Sequence, residues 1–341
     1  MAMATLSPNA SMEEIKWVFD MCGFVLFPSV LSDEDTAAMI AEVEETLAWR
    51  QDAGGGLPDG QHMAPGVQRR LPATHEQMNP GTPEQPGYLN YLNFGGRCGE
   101  LLDHPLLNGL LNEILGDGGQ LNDQCYNFRC DDMMTTIRRP GKTDDGASAS
   151  NVAWVSAPQP HNVPPGHGLR YRSGSGLINA GRARAVWELA GVETPTSGGT
   201  LLMPGSHKAE FQRPASMDVD ATRSLMQSYA CPPGSLLVFT ESLLHATAEW
   251  THPTRDRIAI FTHYCNIYSQ FHRLLLPHDA IVAMPKLRQT LFRGVWAGDW
   301  GGLDGQKAGE RGARSQKETN AFRSFFGAVI VNACAVFAKT G

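Results

Sequence analysis

The chain has 341 residues, of which 42% are hydrophobic, and this length and composition suit one large globular domain. Its formal net charge of -7 excludes a broad nucleic-acid interface, because phosphate binding requires a basic surface. A small molecule is therefore the expected partner. The seven cysteines are scattered, without the spacing of a zinc site or redox pair, and no basic stretch followed by an apolar run opens the chain. We expect a reducing, intracellular location, the cytoplasm.

Helical patterns open the chain. The first predicted helix begins at the capping box Ser11-Met12-Glu13-Glu14 and ends at Gly23, and a strand at Phe24–Phe27 follows. A second helix begins after Ser32. Its apolar stripe consists of Met39 or Ile40, Val43 and Leu47. Residues 54–96 are rich in Gly, Pro, Gln and Asn without periodicity, which predicts a long loop or flap over a site. A third helix is predicted between Pro105 and Gly116.

Short apolar segments separated by Pro and Gly come next, a pattern typical of antiparallel strands in a sandwich or barrel. The predicted strands are Cys125–Arg129, Met133–Arg138, Val152–Val155, Ala183–Leu189, Thr200–Met203, Leu236–Phe239 and Ile258–Tyr264. A helical pattern returns at Met284–Phe292 and at the C-terminus. There the apolar segment Phe322–Ala338 contains Arg323 and Asn332 and is barely long enough to span a membrane, so we expect a packed helix.

These patterns together predict a mainly β fold with flanking N- and C-terminal α-helices. We expect a single domain over residues 1–341, with a helical buttress at 11–116, a β core at 121–266 and a C-terminal helical segment at 280–338.

The stretch from Pro233 to Tyr264 carries the clearest chemical signal. It contains His245 and His252, then Arg255 and Arg257 at the start of the last predicted strand. A histidine can bind a metal, and an arginine can hold a carboxylate through two parallel hydrogen bonds, which together suit a metal- and ketoacid-dependent oxygenase. Further histidines upstream are His161, His167 and His207. His207 follows a Pro-Gly turn, and we interpret it as structural.

Three runs of sequence resemble the phytanoyl-CoA dioxygenase family of iron(II)- and 2-oxoglutarate-dependent oxygenases. They are GGTLLMPGSHK, PGSLLVFTESLLHATAEW and RIAIFTHY, and the segments MCGFVLFPSVLSDEDTAAMI and MPKLRQTLFRG resemble the two ends of the family's domain. The resemblance covers roughly Glu13 to Gly294. It implies a double-stranded β-helix, a cupin-like jelly roll, whose mouth holds Fe(II) through two histidines and one carboxylate. It also implies 2-oxoglutarate and dioxygen as co-substrates and a small organic substrate.

Several site residues follow from the resemblance. His245 matches the distal iron ligand, and Thr247 matches a hydroxyl that helps to hold the far carboxylate of 2-oxoglutarate. Arg257 matches the arginine that clamps this carboxylate, with Arg255 as the near alternative. Trp187 matches an aromatic residue that lines the cofactor pocket.

The first half of the iron site departs from the family. The family carries His-x-Asp, whereas this chain has His161-Asn162-Val163, with valine in place of the aspartate. We rank His161 above His167 as the first metal ligand, and we place Asn162 with the cofactor-binding residues. A carboxylate from elsewhere could complete the site. The nearest candidates by sequence are Asp123, Asp131, Asp132, Glu188 and Glu249.

Two main hypotheses follow. The first is a dioxygenase that hydroxylates an unactivated C–H bond, with iron held by His161 and His245 and 2-oxoglutarate held by Arg257 and Thr247. The second is a catalytically inactive jelly-roll homologue that binds a small molecule or a protein, a reading based on Val163. A halogenase-like variant, in which an external anion takes the empty position, is a third alternative, although valine leaves a halide less room than alanine or glycine.

Overall fold

The structure is a computed structural model. It describes residues 4–52, 87–90, 96–116, 125–140, 162–163, 167–214, 216–217, 222, 224–248, 250–271 and 278–295, with 49–52, 87–90 and 278–279 as backbone only. Contacts between Cα atoms divide the chain into two units, Met1–Val295 and Trp296–Gly341, and all described residues belong to the first. The single domain over 1–341 stays a prediction. The predicted strand Val152–Val155 and the C-terminal segment beyond residue 295 lie outside the described residues.

Helices flank a sequence of strands. The helices are α1 (Met12–Cys22), α2 (Asp33–Asp52), α3 (Pro105–Leu115), α4 (His278–Ala283) and α5 (Lys286–Gln289), with 3-10 turns at Arg97–Asp103, Ser206–Lys208 and Thr290–Phe292. The strands are β1 (Phe24–Phe27), β2 (Gly87–Asn90), β3 (Phe128–Arg138), β4 (Arg172–Gly174), β5 (Leu177–Asn179), β6 (Arg182–Glu188), β7 (Gly199–Leu202), β8 (Ser235–Thr240), β9 (His245–Ala248) and β10 (Arg257–Asn266). The described chain is thus mainly antiparallel sheet with flanking helices, as predicted.

Both ends of α1 have the structure that the sequence predicts. The backbone N–H of Glu14 donates to the Ser11 hydroxyl at 3.3 Å, and the Glu14 carboxylate accepts from the Ser11 N–H at 2.8 Å. Ile15 and Phe19 are buried, and Gly23 ends the helix with a φ of +81°. This left-handed geometry suits glycine. The capping box and the helix end are confirmed.

The strands form a main sheet of order β1-β8-β6-β10-β3-β2, together with the separate pairs β7-β9 and β4-β5. All of these pairings are antiparallel. Strands that are neighbours in the main sheet are far apart along the chain, so the chain crosses repeatedly between the main sheet and the β7-β9 pair. This topology brings β9 and β10 into one core.

The main sheet has a helix-facing side and a second side. Because side chains alternate along a strand, Ala185 and Trp187 of β6 pack toward the helices while Val186 points to the other side. On that other side lies a separate apolar cluster, which includes Leu202 of β7. We call the space between this side and the β7-β9 pair the interior.

The structure corrects several predicted strands. Cys125–Arg129 and Met133–Arg138 were expected as two strands, but one strand, β3, runs through both. A bulge at Asp131, where the register against β10 shifts, accommodates the polar pair Asp131–Asp132 without ending the strand. The short strands β4, β5 and β9 were missed, and β2 lies within the predicted 54–96 loop. Strands of three or four residues carry too few positions for a detectable alternation.

The predicted helix Met284–Phe292 begins two residues later than expected, at Lys286. Pro285 separates α5 from the preceding α4, and α5 passes directly into the last 3-10 turn at Thr290. Proline lacks the N–H that a continuous helix requires, which explains the break. Within the described ranges, no helix has the length and apolar content needed to cross a membrane.

Candidate functional site

His245 is the first residue of β9 and is only 2% exposed. Its ring centroid lies 4.9 Å from that of Phe239, on the interior side of β8. The ring Nδ1 lies 2.8 Å from the carbonyl oxygen of Leu243. Because a carbonyl only accepts hydrogen bonds, Nδ1 carries the hydrogen of the neutral ring and Nε2 presents a lone pair. Metal-binding histidines are commonly held in this way through the other ring nitrogen.

Glu241 lies in the turn between β8 and β9, and it was not among the carboxylates singled out from the sequence. Its Oε2 lies 3.8 Å from His245 Nε2, and its Oε1 lies 2.5 Å from Arg184 Nε. Arg182 Nη1 is 3.7 Å from Oε2. Burial works to raise the pKa of this carboxyl, but Arg184 and the other surrounding cations outweigh it and hold the pKa well below the usual range. The interior therefore contains a carboxylate with a lowered pKa beside His245, whose Nε2 carries a lone pair when the ring is neutral.

Two more titratable groups from the main sheet adjoin this carboxylate. His263 Nε2 lies 3.8 Å from Glu241 Oε1, and His263 Nδ1 lies 3.5 Å from Asp132 Oδ2. Burial, followed by the charges of the nearby arginines, lowers the pKa of His263 well below its usual value. We call Glu241, His245, His263 and Asp132 the Glu241 cluster. In the part of the chain that the structure describes, no three His, Cys, Asp or Glu side chains are already arranged to hold a metal ion together.

Arg257 begins β10 and lies on the interior side, with its guanidinium 5.7 Å from the Phe261 ring centroid. It is fully buried and forms two contacts with the equally buried Glu188, Nη2 to Oε1 at 2.5 Å and Nε to Oε2 at 3.2 Å. Tyr229 donates its hydroxyl to Glu188 Oε1 at 2.6 Å. Burial and the charge of Glu188 raise the pKa of Tyr229 well above its usual value, so the hydroxyl keeps its proton. Arg257 thus already holds a carboxylate in the geometry predicted for 2-oxoglutarate, and that carboxylate belongs to the chain.

Thr247 and Arg255 lie in different environments. Thr247 is two residues after His245 on β9, so both side chains point to the same side of the strand, and it pairs with Thr200 of β7. Arg255 instead lines an open surface pocket of about 610 Å³ beside His252. Strand alternation therefore directs His245, Thr247 and Arg257 toward the interior, whereas Arg255 lines the surface pocket.

The first half of the predicted iron site is described only in part, since His161 lies outside the described residues. Asn162 donates from its side-chain amide to the Ser242 carbonyl at 3.2 Å. Val163 is 6% exposed, and its backbone N–H donates to the backbone carbonyl of Glu241 at 2.9 Å. His167 is exposed at a turn, where its Nδ1 accepts a hydrogen bond from a nearby backbone N–H. The position of the missing aspartate is therefore adjacent to Glu241.

Trp187 faces away from these residues. It belongs to the cluster that packs against the helices, and its ring meets that of His104 edge-on at 5.2 Å. We do not include Trp187 in the proposed pocket. His207 is buried, with its Nε2 3.0 Å from the Asp20 carbonyl oxygen, which fits the structural role inferred from its Pro-Gly turn.

The carboxylates considered as replacements for the aspartate are distributed over several places. Glu188 is bonded to Arg257, and Asp131 accepts from the backbone N–H of Phe271 at 3.0 Å. Asp132 adjoins His263 in the Glu241 cluster. Asp123 and Glu249 lie outside the described residues. Sequence reasoning missed Glu241, although a charged residue inside the apolar run LLVFTESLLH indicates a buried carboxylate that needs a partner.

Comparison with known proteins bears on the fold. No family model and no curated protein matches the chain. Among solved structures, HygX from Streptomyces hygroscopicus with nickel and 2-oxoglutarate bound is similar at a TM-score of 0.52, with 15% identity over 76% of this chain and 88% of that chain. SnoK, a non-haem alpha-ketoglutarate-dependent carbocyclase from nogalamycin biosynthesis, is similar at 0.47, with 17% identity over 77% and 87% of the two chains. At these identities the HygX match shows a shared fold and no more.

Proposed function

We propose that the chain is a non-haem Fe(II)- and 2-oxoglutarate-dependent dioxygenase of the phytanoyl-CoA dioxygenase family, built on a double-stranded β-helix. The observation that carries the proposal is the placement of His245 and Arg257 on consecutive strands, β9 and β10, within one core. The order β8-β6-β10-β3 in the main sheet, opposite the β7-β9 pair, agrees with such a jelly roll. HygX, which shares the fold, was crystallised with nickel and 2-oxoglutarate.

The donor set suits iron in its chemistry. His245 offers a lone-pair nitrogen and Glu241 an ionised carboxylate oxygen, which are the ligand types of non-haem iron sites. His161 is the proposed first histidine. When bound, iron would activate dioxygen for attack on an unactivated C–H bond, while one oxygen atom enters the hydroxylated product and the other the succinate left by decarboxylation of 2-oxoglutarate. The chain's residues hold the metal and bury the site from water.

The residues proposed to bind 2-oxoglutarate have suitable chemistry, but one of them, Arg257, already binds a carboxylate of the chain. Arg257 and Thr247 are the proposed partners of the far carboxylate of 2-oxoglutarate, because a guanidinium holds a carboxylate through two parallel hydrogen bonds. In the structure this guanidinium holds Glu188. Binding of 2-oxoglutarate at Arg257 therefore requires Glu188 to move or to share the arginine.

The same observation favours a second candidate, a catalytically inactive jelly-roll homologue that binds a small molecule or a protein. Glu188 satisfies Arg257 internally, and Val163 replaces the family's aspartate. A fold that has kept its internal ion pair but lost the co-substrate would contain both features.

An anaerobic titration separates the two candidates. Addition of Fe(II) and then 2-oxoglutarate to a dioxygenase is expected to give a weak visible charge-transfer band. The band should disappear in His245→Ala and persist in His252→Ala, which removes a histidine that contacts Glu193 outside the interior. Absence of any band in the wild-type protein would favour the inactive homologue.

Two arginine variants test whether Arg257 binds the far carboxylate of 2-oxoglutarate. Arg257→Ala should raise the 2-oxoglutarate concentration needed for the band while leaving iron binding in place, since the metal ligands remain. Arg255→Ala should change neither, because Arg255 lines the surface pocket. The reverse pattern would show that the clamp was assigned to the wrong arginine.

A further inference from the structure

We propose that Glu241 supplies the carboxylate ligand of the metal site, in place of the aspartate that is absent at Val163. This inference rests on the proposed function, because the metal is the iron proposed above. In the family the carboxylate lies two residues after the first histidine, whereas Glu241 lies in the turn between β8 and β9.

The first observation is the position of Glu241. The backbone N–H of Val163 donates to the backbone carbonyl of Glu241 at 2.9 Å, so the two residues are direct backbone neighbours. Their side chains therefore start from neighbouring backbone positions. The carboxylate lost at one residue is thus present at the residue beside it.

The second observation is the direction of the side chain. Glu241 Oε2 lies 3.8 Å from His245 Nε2, and hydrogen bonding of Nδ1 to Leu243 makes Nε2 the lone-pair nitrogen. Two electron-pair donors this close to each other are stabilised by a cation that binds both. Neighbouring ligands about 2.1 Å from one metal ion lie about 3.0–3.4 Å apart, so binding would draw the two donors together by less than about 1 Å.

The third observation is that the two oxygens of the Glu241 carboxylate have different neighbours. Arg184 lies 2.5 Å from Oε1, whereas Oε2 lies 3.8 Å from His245 Nε2 and 3.7 Å from Arg182 Nη1. Metal-binding carboxylates are commonly oriented by a hydrogen-bonding or charged partner on the second oxygen. Arg184 therefore acts as a positioning residue for a monodentate ligand.

A rival explanation is that Glu241 only neutralises Arg184 and Arg182, both of which lie within 4 Å of it. The two explanations predict different behaviour when the charge of Arg184 is removed together with that of Glu241. The net charge of the group is then the same as in the wild-type protein, with only Arg182 left, so a counter-ion role predicts recovery, whereas a ligand role predicts none.

The test measures binding of Co(II), and of Fe(II) under anaerobic conditions, by isothermal titration calorimetry without co-substrate. Glu241→Gln should weaken binding by on the order of 100-fold or more, since even residues that only orient a ligand contribute 10- to 100-fold. Glu193→Gln is the matched control, because Glu193 contacts His252 at 2.8 Å outside the interior. It should leave metal affinity unchanged.

Two combined variants keep the test decisive if Glu241→Gln alone folds poorly. Glu241→Gln with Val163→Asp should recover metal binding, because the new carboxylate starts beside the lost one. Glu241→Gln with Arg184→Gln removes the unpaired charge and should stay deficient. Recovery only in the Arg184 combination, or in neither, overturns the assignment of Glu241 as a ligand.

Failure of this inference and failure of the proposed function are distinguishable. If the wild-type protein binds metal, His245→Ala abolishes binding and Glu241→Gln binds within a few-fold of wild type, the inference is wrong and the function stands. If the wild-type protein binds neither metal, both are wrong.

Discussion

Replacing Glu188 with glutamine tests whether the carboxylate held by Arg257 stands where a co-substrate carboxylate would bind. Glu188 and Arg257 are both fully buried and joined by contacts of 2.5 and 3.2 Å. Glu188→Gln keeps the shape but removes the negative charge that Glu188 places against the guanidinium. Breaking a buried ion pair in this way costs about 3–5 kcal/mol, so the free energy of unfolding should fall by an amount of this order.

A carboxylate ligand should then restore much of the lost stability. A ligand that binds only the folded state at 100 times its dissociation constant contributes about 2.7 kcal/mol. Urea unfolding with and without 2-oxoglutarate measures both quantities. We expect 2-oxoglutarate to stabilise Glu188→Gln more than the wild-type protein, in which the ligand must displace Glu188.

Two controls define the refuting result. Glu193→Gln removes an exposed carboxylate and should show neither the loss nor the rescue. The double variant Glu188→Gln with Arg257→Gln removes both charges and should regain stability without responding to 2-oxoglutarate. Equal stabilisation of wild type and Glu188→Gln by 2-oxoglutarate, or of neither, would refute competition at Arg257.

Three further predictions concern residues around the same core. Tyr229→Phe removes the 2.6 Å hydrogen bond to the charged Glu188 and should lower the unfolding free energy by about 1.5–3 kcal/mol in urea; a change below about 0.5 kcal/mol would contradict this. Burial lowers the pKa of His207 from 6.5 to about 4, so between these values the unfolded chain binds more protons than the folded one, and stability should fall by up to about 3 kcal/mol as pH falls. Unfolding measured from pH 7 to 4 should show this slope, and His207→Gln should flatten it. Gly23→Ala should destabilise the protein by more than about 1 kcal/mol, because φ is +81° there and the new Cβ would lie 2.6 Å from His207 and 2.8 Å from Leu243; an unchanged midpoint of thermal unfolding would contradict it.

Local signals were sufficient for the elements whose cause is local. The capping box at Ser11 and the left-handed Gly23 fix the two ends of α1 without help from the rest of the fold. The apolar stripe of α2 also buries as predicted, with Met39 rather than Ile40 on the buried side together with Val43. Such features depend on residues within a few positions of one another.

Features that depend on long-range pairing were harder to predict. The bulge at Asp131 lets β3 continue past a polar pair, and it exists only because β10 lies alongside. Strand β9 has four residues, and its partner β7 is more than 40 positions earlier in the chain. Neither element has a pattern long enough to identify it alone.

The candidate site shows the same division. His245 and Arg257 follow from the family-like runs that contain them, and the structure places both toward one core. The carboxylate of Glu188 was noted only as a possible metal ligand, and its bond to Arg257 crosses from β6 to β10. Glu241 was overlooked because its proximity to Val163 is spatial, since about 80 residues separate the two.

Anomalous diffraction at the iron absorption edge, from crystals grown anaerobically with Fe(II), tests the central claim most directly. We predict a single strong peak within bonding distance of His245 Nε2 and of a Glu241 carboxylate oxygen. A fully occupied peak elsewhere, or no peak beside His245 at saturating Fe(II), would contradict the assignment of an iron site to this core.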